Sequence, residues 1–232
     1  MPRDAVNEIT KLVLVNAIYF KGDWNKKFDP KLTKEDNFHV STTESVRASL
    51  MHMSKAKVVY GVNQQLNCQA IELPYVGESL SMFVLLPDHT VTNIWELEGK
   101  LTMEHLTNVK EAFSMHKQEV NIWLPRFKLD EKLDVGSVLA RMGITDLFGG
   151  EADLSGVDGS KGLSVSKVLH RAYVEVNEEG SEAAAATAVV MMLGCSMVPN
   201  PTPEFRADRP FLFFIRDNVT KCVLFLGRLI KP

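Results

Sequence analysis

Three cysteines, Cys68, Cys195 and Cys222, are the only thiols in this 232-residue chain, and a thiol can serve as nucleophile, metal ligand or cross-link. Their wide, irregular spacing fits neither a disulfide framework nor a metal-binding pattern, so a reducing compartment suits them. Cys195 follows Gly194, but no base or positive helix end lies near it in sequence to lower its pKa, and it reads as a free surface thiol. Between residues 149 and 159, Glu151, Asp153 and Asp158 supply carboxylates without the one-three-five oxygen spacing of a calcium loop, which leaves an ordinary polar loop. The sequence has no Gly-x-Ser-x-Gly elbow, His-Glu-x-x-His, phosphate-binding Gly-Lys-Ser or Cys-x-x-Cys, so neither catalysis by its own side chains nor a metal or cofactor is expected. Asn218-Val-Thr220 is a formal glycosylation sequon, to which no role is assigned.

The remaining stretch of interest is a run of small side chains. Glu178-Glu179-Gly180-Ser181-Glu182-Ala183-Ala184-Ala185-Ala186-Thr187 leads into residues 183–192, which contain no charge, proline or glycine. Local propensity favours a helix there, with Ser181 as a cap. The flanks oppose it. Residues 163–176 alternate and are rich in β-branched side chains, which predicts a strand running into the stretch, while Gly194, Pro199, Pro201 and Pro203 downstream exclude both helix and inner strand. Small uncharged residues hung between a strand and a proline-rich tether are suited to a tight slot between two strands.

At these residues the chain resembles the serpin family. The same order of motifs runs along nearly the whole sequence: Leu14-Val-Asn-Ala-Ile-Tyr-Phe-Lys-Gly-Asp-Trp24, Leu73-Pro-Tyr, Leu124-Pro-Arg-Phe, Gly143-Ile-Thr-Asp-Leu-Phe148, Ala152-Asp-Leu-Ser-Gly156, Ala207-Asp-Arg-Pro-Phe-Leu-Phe-Phe-Ile215 and Leu224-Phe-Leu-Gly-Arg228. The loop style is similar to the ovalbumin-like, intracellular branch (clade B). The resemblance implies one serpin domain over residues 1–232 with an exposed reactive-centre loop at 178–204. A family member carries a long helical portion before the Leu-Val-Asn-Ala strand, so the chain looks like the C-terminal part of a serpin, incomplete at its N-terminus.

The resemblance also implies a mechanism. A serine protease, chymotrypsin-like or elastase-like, attacks the loop as a substrate, and the cut hinge inserts into the large sheet; a cysteine protease target stays open. Counting from Glu178 places the reactive bond at Gly194-Cys195, with Met192, Leu193 and Met197 as alternatives because glycine offers no side chain to a specificity pocket. Gly180 gives the hinge freedom to turn, and Ser181, Ala183, Ala185 and Thr187 would alternate inward on the inserted strand. Asn16 is expected to meet His170 on the neighbouring strand, Arg126 to pair with Glu178 at the slot's mouth, and Trp24 to belong to the same slot-locking group. A truncated, non-inhibitory chain that binds partners or is merely cleaved is the alternative function.

These residues must be positioned by a globular scaffold. A hydrophobic content of 45% supports a real core, and a net charge of −3 leaves no electrostatic footprint for nucleic acid. No segment is long and apolar enough to span a bilayer as a helix, and the first residues lack a signal-peptide core, so the expectation is a cytoplasmic protein, or an extracellular one released unconventionally, without membrane association and monomeric if its fold is complete. Residues 11–20 read as a central strand buried on both faces, with Asn16 obliged to find a partner. Strands are expected near 38–41, 46–53, 57–60, 68–73, 80–86 and 119–128, and helices at 92–101, 103–114 and 133–142. The order is not a strict βαβ alternation, so the fold class is α+β with mostly antiparallel sheets.

Overall fold

The computed structural model describes residues 7–159, 161–179 and 201–232. In chain order the elements are β1 (Leu12–Phe20), β2 (Lys34–His39), β3 (Ser45–Asn63), β4 (Cys68–Pro74), β5 (Leu80–Pro87), α1 (Ile94–Lys100), α2 (Met103–Thr107), α3 (Val109–Ala112), β6 (His116–Pro125), β7 (Phe127–Asp134), α4 (Gly136–Arg141), α5 (Ser155–Asp158), β8 (Val165–Val176), β9 (Glu204–Arg206), β10 (Phe211–Asp217) and β11 (Val223–Leu229). The class is α+β. Two compact units divide the chain, one made of Met1–Phe20 with Lys128–Glu175, the other of Lys21–Phe127 with Val176–Pro232.

In the smaller unit a three-stranded sheet has the order β1-β8-β7. β1 and β8 pair in parallel from Leu12↔Val165 to Phe20↔Val174, with one irregularity after Leu12. The expected burial of this strand on both faces is not what the structure shows. Among the described residues β1 is a sheet edge with β8 as its neighbour, and Val15 and Tyr19 are each 63% exposed, with Leu14 and Ile18 also exposed. An apolar run specifies a strand that could be covered on both sides, but it does not encode what covers it. Tyr19 instead stacks on Tyr173 at 4.9 Å, with the Lys128 ammonium 5.1 Å from the Tyr173 ring, and Arg171 donates to both carboxylate oxygens of Asp130 at 2.7 and 2.6 Å.

The larger unit carries an eight-stranded sheet of order β11-β10-β5-β4-β3-β6-β9, with β2 beside β3; β6–β9 is parallel and its other pairs are antiparallel. The strands expected at 46–53 and 57–60 are one 19-residue strand, because a bulge between Met53 and Ala56, with Lys55 at φ 44°, keeps the ladder to β6 running past the polar interruption. The helix expected over 103–114 is two short ones, broken at Asn108 (φ −109°, ψ 41°), and the one expected from 133 begins at Gly136, since Leu133 and Asp134 still belong to β7.

Helices α1–α3 cover one face of this sheet. Leu97, Leu106, Val109 and Phe113 are buried against Phe83, Leu85, Leu212 and Phe214, and Phe83 stacks on Phe214 at 4.9 Å. Each such aliphatic side chain removed to Ala costs about 2–5 kcal/mol. Gly61 on β3 is required by the same contact, because a Cβ there would stand 2.1 Å from the Phe113 carbonyl oxygen.

Candidate functional site

Glu178, two residues beyond the end of β8, is 3% exposed, a burial that a carboxylate tolerates only with strong partners. Arg126 supplies them: its Nε donates to Oε1 at 2.7 Å and Oε2 at 2.6 Å, and its terminal nitrogen lies 2.5 Å from Oε1. The Thr33 hydroxyl donates to the same Oε1. Local sequence explains both positions. Pro125 closes β6, Arg126 continues by donating its backbone N–H to Ser49 O at 2.9 Å, and Thr33 caps a one-turn 3-10 helix, Pro30–Leu32, whose N-cap Asp29 accepts from Lys31 N.

Burial alone would push the Glu178 carboxyl up, but the hydrogen bonds from Arg126 and Thr33 outweigh it and hold the group below the ordinary carboxylate range. The same bond raises Arg126 above its ordinary value. A bidentate guanidinium–carboxylate pair of this kind fixes orientation as well as charge.

Trp24 holds the neighbouring residue. Its Nε1–H donates to Asn177 O at 2.8 Å, and its ring stacks on Tyr75 at 4.6 Å and 11°. Trp24 and Tyr75 also form an isolated antiparallel bridge, and both are buried. Asn177 Oδ1 accepts from Glu179 N at 3.0 Å. Side chains from two distant parts of the sequence, Trp24 with Thr33 and Arg126, thus grip the two residues Asn177 and Glu178.

In the smaller unit Asn16 and His170 are opposite each other in the β1/β8 ladder, with Asn16 Nδ2 3.1 Å from His170 Nδ1, and the two strands pair directly with no strand between them. Of the expected site residues, then, Asn16 and His170 meet, as do Arg126 and Glu178, with Trp24 beside the latter pair on the chain. Gly180, Ser181, Glu182, Ala183, Ala184, Ala185, Ala186 and Thr187 of the hinge, and Met192, Leu193, Gly194, Cys195 and Met197 around the reactive bond, lie outside the described residues. Thr33, Tyr75 and Asn177 were missed as site residues. Leu73-Pro-Tyr75 carried a motif signal, whereas Thr33 had none beyond following a Pro-Lys-Leu turn.

Among the described residues no group of three His, Cys, Asp or Glu could hold a metal, and no helix is long and apolar enough to cross a membrane. Asp153 is engaged by Ser155, whose hydroxyl and N–H donate at 2.6 and 3.2 Å. The sequon's Asn218 donates Nδ2 to Glu78 O and Ser81 Oγ, both at 2.8 Å.

A strand-and-clamp arrangement preceding a small-residue stretch of sequence points to a class, and comparison with known proteins names it. The family model Serpin (serine protease inhibitor) matches residues 1–232, and the chain belongs to the serpin family. It is 46% identical over 230 residues to leukocyte elastase inhibitor of Sus scrofa, covering 98% of this chain and 60% of that protein, and 45% identical to Serpin B3 of Homo sapiens, covering 100% and 58%. These are members of the ovalbumin-like clade B. Among solved structures it is similar to uncleaved ovalbumin (TM-score 0.85, 35% identity, 100% of this chain and 57% of that one) and to a tumour-suppressing serpin (TM-score 0.82, 32% identity, 98% and 59%). The chain spans about three fifths of the length of the relatives it matches.

Proposed function

We propose that residues 1–232 form part of a single serpin domain that acts as a serine protease inhibitor, not as an enzyme, by offering residues 178–204 as a suicide substrate. The observation that carries this reading is the parallel pairing of β1 with β8. A segment that leaves the end of β8 and folds back runs antiparallel to β8, and therefore antiparallel to β1 as well. It can replace the parallel β1/β8 ladder by two antiparallel ladders, a pairing slightly more stable per residue. The Glu178 clamp supports the same reading, since it fixes the point from which such a segment departs.

In the proposed reaction the protease serine Oγ attacks the carbonyl carbon of Gly194, or of Met192, Leu193 or Met197. An ester forms, the peptide bond breaks, and the released amine takes up the proton. Insertion of the hinge then carries the acyl-enzyme away before water hydrolyses it, a switch driven by stored conformational energy. Enzymes of the chymotrypsin and elastase type suit the apolar residues Leu193, Met192 and Met197. The free thiols Cys68 and Cys222 support a reducing, cytoplasmic setting. Incubation with chymotrypsin, an elastase and papain, followed by denaturing electrophoresis, tests the proposal: a covalent band at the summed mass is expected with a serine protease. Loop cleavage without that band leaves the second reading, a non-inhibitory chain, which the exposure of Val15 and Tyr19 on β1 favours.

A further inference from the structure

A cavity of about 370 Å³ in the larger unit shares only Trp24 with the Glu178 clamp. Trp24, Phe28, Met53 and Leu73 give it apolar walls and are themselves buried. Lys26, Lys57, Lys110 and Lys117 also line it, against two carboxylates, Glu72 and Glu78. In a chain of net charge −3 this is a local excess of positive charge.

The two carboxylates are already engaged. Glu72, 5% exposed, lies 2.8 Å from Lys110 Nζ and accepts from Ser81 Oγ at 3.0 Å, while Glu78 accepts from Asn25 Nδ2 at 2.7 Å. Lys26, Lys57 and Lys117 form no ion pair within 4.0 Å among the described residues, although Glu119 faces Lys57 across the β3/β6 ladder. Asn218, another lining residue, spends its Nδ2 on Glu78 O and Ser81 Oγ, but its Oδ1 is buried without a donor. A buried acceptor left in that state costs stability.

We infer that this cavity binds a small amphipathic anion, a carboxylate or sulfonate on an apolar body. Its head sits among Lys57, Lys117 and Lys26, and its body lies against Trp24 and Phe28. The volume falls at the low end of the range for small-molecule sites, about 300–1,000 Å³, and apolar walls with a few placed charges are their usual lining. A cation of the same shape would meet unpaired lysines, so charge decides the class of ligand.

Calorimetric titration with dodecanoate, dodecyltrimethylammonium and acetate tests this. Dodecanoate is expected to bind saturably at one site, the cation of equal chain length at least tenfold more weakly, and acetate not at all at the same concentration. Lys57→Ala with Lys117→Ala, both exposed and checked for folding by circular dichroism, should weaken dodecanoate at least tenfold. In a W95F/W123F background, 12-bromododecanoate should quench Trp24, which lies in the wall. Equal binding of both amphiphiles, an unchanged affinity in the lysine variant, no saturable binding, or binding without quenching would each overturn the inference.

Discussion

Arg126 and Glu178, 52 residues apart in sequence, meet with both carboxylate oxygens engaged and the glutamate 3% exposed, while the arginine side chain keeps 47% of its surface in water. The asymmetry sets the consequence of breaking the pair: the partner left behind is the buried one. Arg126→Ala should therefore destabilise the chain by about 1–3 kcal/mol, below the range for a fully buried pair because half of the guanidinium is solvated. Urea unfolding measures it, and a change within 0.5 kcal/mol, roughly the level of an ordinary surface substitution, would show that the clamp holds nothing.

The same carboxylate gives a pH signature. A folded-state pKa below the unfolded value, about 4.3 for a glutamate, means that the clamp's contribution is fully present above that value and is lost as pH falls through the depressed folded pKa. The stability gap between the parent chain and Glu178→Gln should thus be flat at neutral pH and shrink below about pH 4. Denaturant midpoints from pH 7 to pH 3 provide the test.

Thr33 adds one charge-assisted hydrogen bond to Glu178. Thr33→Val keeps the shape and removes the donor, for an expected loss of about 1.5–3 kcal/mol. The loss should vanish in a Glu178→Ala background, where the acceptor is gone, which a double-mutant cycle would reveal.

Exposure of β1 predicts tolerance. Val15→Lys should change stability by less than about 0.5 kcal/mol, as surface substitutions do, and should reduce light scattering by blunting an apolar sheet edge. A large destabilisation would mean that this face is covered in solution.

Under the proposed mechanism Ser181 faces inward once inserted, so Ser181→Arg would bury an unpaired charge. The variant should be cleaved as a substrate, with a stoichiometry of inhibition several-fold above the parent. An unchanged stoichiometry would remove insertion of this segment from the mechanism.

Much of this arrangement was legible in the sequence because it rests on local chemistry. β4, β5 and β8 follow from apolar patterning bounded by Gly, Pro and Asp, and α1 from the helical spacing of its apolar residues; the structure adds an Asn93 cap, whose side chain accepts from Trp95 and Glu96. The Arg126–Glu178 and Asn16–His170 pairs were legible only through resemblance, since no spacing rule joins residues that far apart. Burial of β1 was misjudged because the pattern Leu12-Val-Leu-Val specifies a strand and says nothing of its neighbours. Helix 103–114 failed for a different reason: Asn108 leaves helical geometry, and its side chain accepts from Lys221 Nζ at 3.3 Å, a partner far away in sequence. The unpartnered Asn218 Oδ1 had no sequence signature at all.

The β1/β8 ladder joins residues about 154 positions apart, as Asn16 and His170 do. A ribosome adding about 5–20 residues per second reaches the second strand roughly 8–30 s after the first. Throughout that interval Leu14, Val15, Ile18 and Tyr19 belong to a nascent chain in which β8, the partner of β1, has not yet been made. The yield of this sheet in a cell therefore depends on synthesis rate as well as on native-state stability.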